Sequence, residues 1–445
     1  MLRIKDNPKI CFILLCFFMI VNAEINWNGY IQTDNRLLIK DWSLSWQEYR
    51  LSLQTDYKPN TRIRFFSEIW LRSLGFTDVY TSTDLNNRRK VAPTDFDLRE
   101  AYIDLYGFIN KNLDLRIGRQ RIAWGVADRV NPTDNLNPND FEDIWDFGRH
   151  LASNGIVVSY YINDLSLKNI FIPSFTPAIL SPRINQSLLI SSMLPVMHYQ
   201  NISDTILLPS SKLKDAVIYG AKVSKPLSGF DFSLSYIYGR YDLPMLKKMT
   251  FTLADTTGAV NLVSEYIYPR IQILGFDFAG AIKEVGIWAE MAIYLPKKTY
   301  LTIDMTTLGL GSFDTLILTN KPYARYILGL DYTFVNGIYI NLQYLHGFVT
   351  EYGKDNLHDY FMLGIDWKIL QDKLKFSPLN CALEIKKWQD FKNSHSIVFT
   401  PEISYKPFDN TELNLGCRYL DGNSMTTFGQ LKDEDELYLK VKYHF

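Results

Sequence analysis

The sequence predicts an all-β protein, a closed antiparallel transmembrane β-barrel of about 18 strands with short periplasmic turns and long extracellular loops. Three observations support this fold class. Polar and apolar residues alternate along segments of roughly 10–14 residues. The separators between these segments alternate between short and long, and the chain ends on an alternating segment whose last residue is Phe445.

The first 23 residues have the order of a secretory signal peptide. Basic residues (Arg3, Lys5 and Lys9) precede the apolar run ICFILLCFFMIV, and Ala23 completes a small-residue cleavage site. The apolar run is too short for a transmembrane helix. We therefore expect cleavage after Ala23, which leaves residues 24–445 as a single barrel domain. An uncleaved membrane anchor is the alternative.

The composition suits a membrane barrel and excludes some partners. The formal net charge is −1, so the chain has no general electrostatic affinity for nucleic acid. Aromatic residues make up 14% of the sequence, and the mean hydropathy is −0.10. After the first 23 residues no run of 18 apolar residues occurs. These values are typical of a barrel that is apolar outside and polar inside.

The alternation is clearest in two early segments. In 48–57 (EYRLSLQTDY) charged and polar residues occupy every second position, with mainly aromatic and aliphatic residues between them. The segment 62–72 (RIRFFSEIWLR) repeats the pattern. A soluble sandwich would use shorter strands. Long, regular and numerous strands of this kind indicate lipid on one face and water on the other.

The separators divide the chain into about 18 strand segments, with one hairpin more or fewer as an alternative around 180–213. The short separators include Asn336-Gly337, a strong hairpin signal. An even number of strands places both termini on the short-turn side. The predicted segments are 25–38, 45–57, 61–74, 96–108, 113–127, 149–162, 165–177, 214–226, 230–242, 266–280, 285–297, 323–335, 338–349, 359–370, 374–388, 395–406, 411–422 and 435–445.

The last segment, ELYLKVKYHF, resembles the C-terminal signal by which the bacterial outer-membrane assembly machinery recognises its barrels. It alternates and ends on Phe445. The stretch RIGRQRIAWGVADRVNPTDNLNP resembles an uncharacterised family of porin-like barrels and, more distantly, barrels of the alginate-export type. The resemblance implies a channel in the outer membrane of a Gram-negative bacterium, without naming its solute.

Charged residues of strands 2 to 5 are the predicted pore lining. Strict alternation would place Arg119 and Arg121 against lipid, where a charge costs about 2–4 kcal/mol at mid-membrane. Either both lie at the outer rim, or a β-bulge at Gly118 turns them inward, the interpretation we favour. Mutual pairing of these charges, without a role in selectivity, is the structural alternative. The predicted set is Arg50, Arg62, Arg64, Glu68, Arg72, Glu100, Asp104, Arg116, Arg119 and Arg121.

The loop 129–148 that follows is the predicted constriction. It is the third on its side of the barrel, and its position resembles that of the third loop of general porins, which folds into the lumen. A loop lying on the surface is the alternative. Carboxylates on this loop would face the arginines across the pore and select charged solutes. The predicted residues are Asp134, Asp140, Glu142, Asp143 and Asp146.

No catalytic, metal or cofactor site is predicted. The oxygen-bearing residues of 131–143 lack the spacing of a calcium-binding EF-hand loop. The six histidines are scattered, without zinc-site spacing, and no GxSxG motif occurs. About 18 strands enclose an aqueous passage rather than a filled interior.

The predicted function is therefore passive diffusion of small hydrophilic solutes through a porin-like channel in the outer membrane. The expected partners are outer-membrane lipid, the assembly machinery acting on the strand that ends at Phe445, and the solutes themselves. Two alternatives remain open from the sequence. One is a structural or adhesive barrel with a plugged lumen that binds a partner, and the other is a polymer-export barrel.

Overall fold

The structure, a computed structural model, describes residues 25–146, 148–181, 197–256 and 258–445. The predicted signal peptide and cleavage site lie outside the described residues. The described strands are β1 Ile25–Leu38, β2 Leu44–Asn60, β3 Ile63–Leu74, β4 Thr94–Leu105, β5 Leu113–Gln120, β6 Ser153–Ile162, β7 Leu165–Ile172, β8 Tyr199–Ile206, β9 Ile218–Leu227, β10 Phe230–Arg240, β11 Met245–Leu253, β12 Val260–Ile267, β13 Arg270–Ile282, β14 Val285–Pro296, β15 Thr299–Met305, β16 Gly311–Leu318, β17 Tyr323–Thr333, β18 Ile338–His346, β19 Asp359–Ile369, β20 Leu374–Ile385, β21 His395–Phe399, β22 Glu402–Phe408, β23 Thr411–Gly422 and β24 Glu436–His444.

Nineteen of these strands form one closed antiparallel barrel. The strands pair in chain order, and β1 pairs with both β2 and β24, which closes the cylinder. The short strands β21 and β22 occupy successive halves of one position, because each pairs with β20 on one side and β23 on the other. The barrel therefore has 18 strand positions, and the predicted fold class is confirmed.

The wall is polar inside and apolar outside. On β2 the side chains of Glu48, Arg50 and Ser52 are buried in the interior, whereas Tyr49 is 47% exposed on the outer face. Exposed aliphatic and aromatic side chains recur at outward positions of the other strands, among them Phe65, Ile117, Leu234, Leu328 and Leu415. This arrangement is the reverse of that in a soluble protein, as expected for a barrel surrounded by lipid.

The turns at one end are short, and residues in them adopt the left-handed conformation that tight hairpins require. Gly337 has φ +82° and Asn163 has φ +51°. The same end holds both described termini. There the Phe445 backbone exchanges two hydrogen bonds of 3.1 Å with Gly29. The Phe445 ring lies where a Cβ atom on Gly29 would stand, so this glycine makes room for the terminal aromatic residue.

The loops at the opposite end contain structure that the sequence analysis missed. Three stretches predicted as loops fold into a second, five-stranded sheet in the order β16-β15-β11-β12-β8. The pairs β11–β15 and β12–β8 are parallel, so strands from different loops meet side by side. This sheet has its own apolar core, which includes Met249, Phe251 and Leu262.

Helical structure in the described part of the chain is limited to short turns. These turns are Ser82–Asn86, Arg88–Val91, Leu213–Ala216, Thr306–Leu308, Trp388–Asn393 and Gly429–Leu431. Among the described residues, no helix has the length and apolar character needed to cross a bilayer.

Candidate functional site: a loop across the barrel interior

The fifth strand ends earlier than predicted, and the chain then turns into the barrel. β5 stops at Gln120 instead of reaching residue 127. Residues 121–152, which we call the constriction loop, cross the interior toward β14. There the Glu290 carboxylate accepts hydrogen bonds from the backbone of Val126 at 2.5 Å and Ala127 at 2.6 Å, and from the Thr133 hydroxyl at 2.8 Å. Because β14 lies far around the wall from β5, these bonds place the loop inside the lumen.

Further contacts tie the constriction loop to other parts of the wall. Asp143 receives two hydrogen bonds, of 2.8 and 2.5 Å, from Arg36 on β1. Asp128 accepts hydrogen bonds from Asn341 and Gln343 on β18. On β23 the Arg418 guanidinium lies 4.7 Å from the centre of the Trp145 ring. The loop is thus held from several directions.

The first part of the loop fills one side of the barrel. Trp124 is 4% and Leu136 is 1% exposed. They pack in one cluster with inward-facing aliphatic residues of β7, β9 and β10, such as Ile170, Ile218 and Ile237. These strands lack the usual polar inner face at this level, because apolar loop residues cover it instead of water.

The other side of the barrel remains open. An interior cavity of about 1070 Å³ lies between the loop, strands β1–β4 and strands β18–β24. Ten basic and nine acidic side chains line it, so its charge is nearly balanced. The basic residues are Arg36, Arg50, Arg99, Arg121, Arg129, Arg149, Lys375, Arg418, Lys440 and Lys442.

Four of the predicted pore arginines lie on the inner wall in ion pairs. The closest contacts are Arg50 to Glu48 at 2.8 Å, Arg64 to Asp56 at 2.9 Å, Arg72 to Asp95 at 2.5 Å and Arg116 to Asp104 at 2.6 Å. Arg50 and Arg99 also flank the Trp70 ring, at 3.9 and 4.2 Å from its centre. Ion pairs along the wall therefore neutralise these four predicted pore arginines.

Two predicted residues, Arg62 and Arg119, do not face the barrel interior, and the prediction that a β-bulge turns Arg119 inward is wrong. Arg62 is exposed in the turn before β3. Arg119 shares the outward side of β5 with Ile117, and its Nε donates to the Leu98 carbonyl at 2.6 Å. The expected bulge at Gly118 is absent, since the β4–β5 pairing there is regular.

The irregular register lies one strand away, between β3 and β4. Glu68 pairs with Glu100, but Ile69 pairs with Leu98, so one residue of β4 is skipped. The skipped residue is Arg99, which points inward and contacts Asp140 of the constriction loop at 3.4 Å. Gly118 instead allows β4 and β5 to approach each other closely. Its φ is +136°, and a Cβ atom there would stand 2.3 Å from the Ala101 carbonyl oxygen.

Arg121 follows the end of β5, and its side chain points toward the constriction loop instead of lying along the wall. Its guanidinium pairs with Asp134 and lies 3.2 Å from the Asn137 side-chain oxygen. Its backbone N–H donates to Glu100 at 2.8 Å. Glu68 accepts hydrogen bonds from Ser52 and Trp70. Glu68 and Glu100 are therefore held by uncharged donors, side by side on the wall.

The predicted loop carboxylates also have arginine partners. Asp140 lies 2.9 Å from Arg149, and Glu142 lies 2.6 Å from Arg72 and 3.0 Å from Arg149. Asp146 is half exposed and lies 3.7 Å from Arg149. The loop carboxylates thus contact arginines of the loop itself, such as Arg149, and of the wall, such as Arg72, rather than facing an arginine wall across an open pore.

Arginine charge fixes the protonation state of the buried loop carboxyls. Burial by itself raises the pKa of Asp143, but the hydrogen bonds and charge of Arg36 outweigh that effect and hold the pKa well below its ordinary value. Asp140 behaves in the same way, with its pKa lowered by Arg149 and Arg99 against the effect of burial. Both side chains are carboxylates at neutral pH.

Several lining residues were missed by the sequence analysis. Arg36 occupies a polar position of the first alternating segment, and Lys440 and Lys442 occupy polar positions of the last one. The alternation therefore contained the signal for these three. Arg418 likewise occupies a polar position of the segment 411–422, whereas Arg149 lies within the loop and became recognisable only through its contacts with Asp140 and Glu142.

One group of side chains in the described part of the chain has metal-ligand geometry. Ligand atoms of Glu351, His358 and Glu384 lie within 4.8 Å of one another at the long-loop end of the barrel. The sequence analysis predicted no metal site, because these residues are separated along the chain and match no ligand-spacing pattern.

Comparison with known proteins identifies the fold. No protein-family model and no curated protein matches the chain. The structure of OpdK of Pseudomonas aeruginosa with vanillate is 9% identical, with a TM-score of 0.52, and the alignment covers 95% of this chain and 98% of that chain. OccK1 (OpdK) of the same organism is 10% identical, with a TM-score of 0.51 and the same coverage.

OmpF of Salmonella typhi in complex with daunomycin aligns over 95% of this chain and 98% of that chain, at 11% identity and a TM-score of 0.42. At these identities the similarity shows the fold alone. The chain has the fold of bacterial porin barrels, and its closed wall with an apolar outer face makes it an integral protein of the outer membrane.

Proposed function

We propose that the protein is a porin-like channel through which small hydrophilic solutes diffuse passively across the outer membrane. The observation that supports this most strongly is the division of the barrel interior by the constriction loop. One side is packed with apolar residues, and the other is a cavity of about 1070 Å³ lined by charged groups. A polar cavity inside a membrane barrel is favourable only if water fills it.

Selectivity in this proposal comes from charges that face the cavity. Arginines of the wall and carboxylates of the loop neutralise one another in pairs such as Arg36–Asp143 and Arg72–Glu142. With nearly equal numbers of basic and acidic groups, the lumen has local fields but little net potential. We therefore expect weak ion selectivity and preference for polar solutes according to size and local charge.

Liposome swelling and single-channel recording test the channel. The refolded protein should let small sugars swell liposomes and should give discrete conductance steps in planar bilayers. Reversal of two cavity lysines, Lys440→Glu with Lys442→Glu, should shift the reversal potential in a salt gradient toward cation preference. The matched control is Lys283→Glu, at an exposed turn. Absence of both swelling and conductance would overturn the proposal.

A second candidate is a partner-binding barrel with a closed lumen. The observation that favours it is the five-stranded sheet at the long-loop end, which extends from three loops and has an apolar core of its own. The same swelling assay separates the two candidates. No swelling, together with binding of the protein to a surface through this sheet, would favour the second.

The terminal strand supports an assembly partner. Phe445 directly follows β24 at the short-turn end of the barrel and is 46% exposed. We propose that the outer-membrane assembly machinery recognises this strand. Phe445→Ala should lower the amount of folded barrel in the outer membrane while leaving refolding of the purified chain in detergent nearly unchanged. Equal losses in both assays would indicate a purely structural role.

A further inference from the structure

Three side chains from separate parts of the sequence converge at the long-loop end of the barrel. Glu351 lies in the connection between β18 and β19, His358 immediately precedes β19, and Glu384 lies near the end of β20. The His358 Nδ1 atom lies 2.8 Å from Glu384 Oε1 and 3.1 Å from Glu351 Oε1. All three side chains are buried, with exposed fractions of 11% for His358, 0% for Glu384 and 8% for Glu351.

Hydrogen bonds to the outer oxygens fix the orientation of both carboxylates. Glu351 Oε2 accepts from the backbone N–H groups of Phe348 at 2.9 Å and His358 at 2.8 Å. Glu384 Oε2 accepts from the Ser396 hydroxyl at 2.8 Å and the Phe428 N–H at 3.0 Å. Each Oε1 atom is thereby turned toward the His358 ring, an orientation that outer hydrogen bonds give to metal ligands.

The two inner oxygens have further neighbours. The Tyr360 hydroxyl lies 2.5 Å from Glu351 Oε1 and 3.4 Å from Glu384 Oε1. Glu384 Oε1 also accepts from the Thr427 N–H at 2.8 Å. The tyrosine hydroxyl is thus a third oxygen at the same point, beside one nitrogen, and it can rotate its proton toward Thr427 Oγ1, which lies 3.0 Å away.

The charges of this group are unbalanced. Within the described chain, no lysine or arginine forms an ion pair with either carboxylate. Arg325 approaches only the backbone carbonyl of Glu351. Even a protonated His358 would leave one excess negative charge among the three buried side chains. A buried charge without a counter-ion is costly, and a divalent cation would remove the imbalance.

We propose that Glu351, His358 and Glu384 bind a divalent first-row transition-metal ion through Oε1, Nδ1 and Oε1. Imidazole and carboxylate ligands suit zinc and manganese-to-cobalt ions at bond lengths of about 2.0–2.2 Å. Ligands bound at right angles, as in an octahedral site, are about 3.0 Å apart at such lengths, close to the separations of 2.8 and 3.1 Å. The ion binds the neutral imidazole at Nδ1, with the ring proton on Nε2, so its binding releases one proton when His358 starts as imidazolium and none when it starts neutral.

The bound ion would connect two loops at the mouth of the cavity. Glu351 belongs to the 347–358 connection, and Glu384 holds the 423–435 connection through the backbone of Thr427 and Phe428. Phe348, Tyr360 and Phe428 beside the site line the cavity. Metal binding should therefore raise the thermal stability of the folded barrel. This inference does not depend on whether the barrel conducts solutes.

Cobalt binding by the full-length barrel tests the site. The protein is refolded without an affinity tag and treated with chelator, and Cys381 and Cys417 are replaced by serine in every variant, because thiols also bind cobalt. We expect one Co²⁺ per chain, visible absorption bands that zinc abolishes, and a raised melting temperature. Glu384→Gln and His358→Gln should each weaken binding by more than about tenfold, the effect of losing even an outer hydrogen bond.

A second histidine–carboxylate pair provides the matched control. His346 Nδ1 lies 2.7 Å from Asp359, without a second carboxylate. His346→Gln should leave cobalt affinity and absorption unchanged. If Glu384→Gln fails to fold, Glu351→Gln replaces it, because Glu351 lies on a loop. Absence of cobalt binding, or equal binding by the His358, Glu351 and control variants, would overturn the proposal.

Discussion

The prediction with the sharpest structural basis concerns Arg36, the residue that holds the constriction loop to the first strand. Arg36 is 1% exposed and donates four hydrogen bonds to Asp34 and Asp143, at 3.0, 2.7, 2.8 and 2.5 Å. Removal of one member of a buried ion pair costs about 3–5 kcal/mol, because the partner charge stays buried without compensation. The substitution Arg36→Ala therefore destabilises this attachment by a similar amount.

A change of about 3 kcal/mol corresponds to roughly a hundredfold change in the ratio of attached to released loop. We expect Arg36→Ala to give larger and noisier single-channel conductance, with the barrel still folded. Asp143→Asn should have a smaller effect, because a neutral amide leaves no uncompensated charge at that position. The double variant should be no worse than Arg36→Ala alone.

Arg64→Ala is the matched control for this prediction. Arg64 also forms ion pairs on the inner wall, with Asp56 at 2.9 Å and Asp104 at 3.4 Å, and both partners belong to the wall. It should alter local charge without releasing the loop. If Arg36→Ala and Arg64→Ala give the same conductance and noise, Arg36 does not hold the loop and the reasoning is refuted.

Three further predictions concern the same architecture. Glu290→Ala should raise conductance and lower the unfolding temperature measured by heat-dependent gel mobility. The reason is that the N–H groups of Val126, Ala127 and Thr133 lose their buried acceptor, which costs about 1–3 kcal/mol for each group. An unchanged variant would show that other contacts hold the loop. Because the pKa of Asp143 lies below that of a free carboxyl, its contribution to loop attachment is complete above the ordinary pKa of about 3.9 and is lost only as the pH falls further. Conductance should accordingly stay constant from pH 8 to about 5 and change only in stronger acid; opening at pH 6 would contradict the assignment. Gly118→Ala should lower the unfolding temperature more than Gly229→Ala. Both glycines have positive φ, but only a Cβ atom at residue 118 would meet backbone, at 2.3 Å. Equal effects of the two substitutions would show that this close approach does not matter for stability.

The strand pattern was predictable because it is local. Whether a residue of a barrel strand faces lipid or water depends on its parity within that strand, so the alternation in 48–57 was enough to place Glu48 and Arg50 inside and Tyr49 outside. The same parity placed Arg119 outside, where the structure has it. The expectation of a bulge at Gly118 failed because the register shift arose in the neighbouring pair, at Arg99, and a shift depends on two strands at once.

The sequence by itself determined the closed barrel, its 18 strand positions, the short turns and the polar inner face, since each follows from the solvent that successive residues meet. Only the tertiary structure decided the path of the constriction loop, the sheet formed by three loops, and the meeting of Glu351, His358 and Glu384. Arg36 and Asp143 are 107 residues apart, and their contact exists because the loop after β5 folds into the interior and reaches the inner face of β1. Such contacts depend on how strands are arranged around the cylinder, which residue spacing along the chain does not encode.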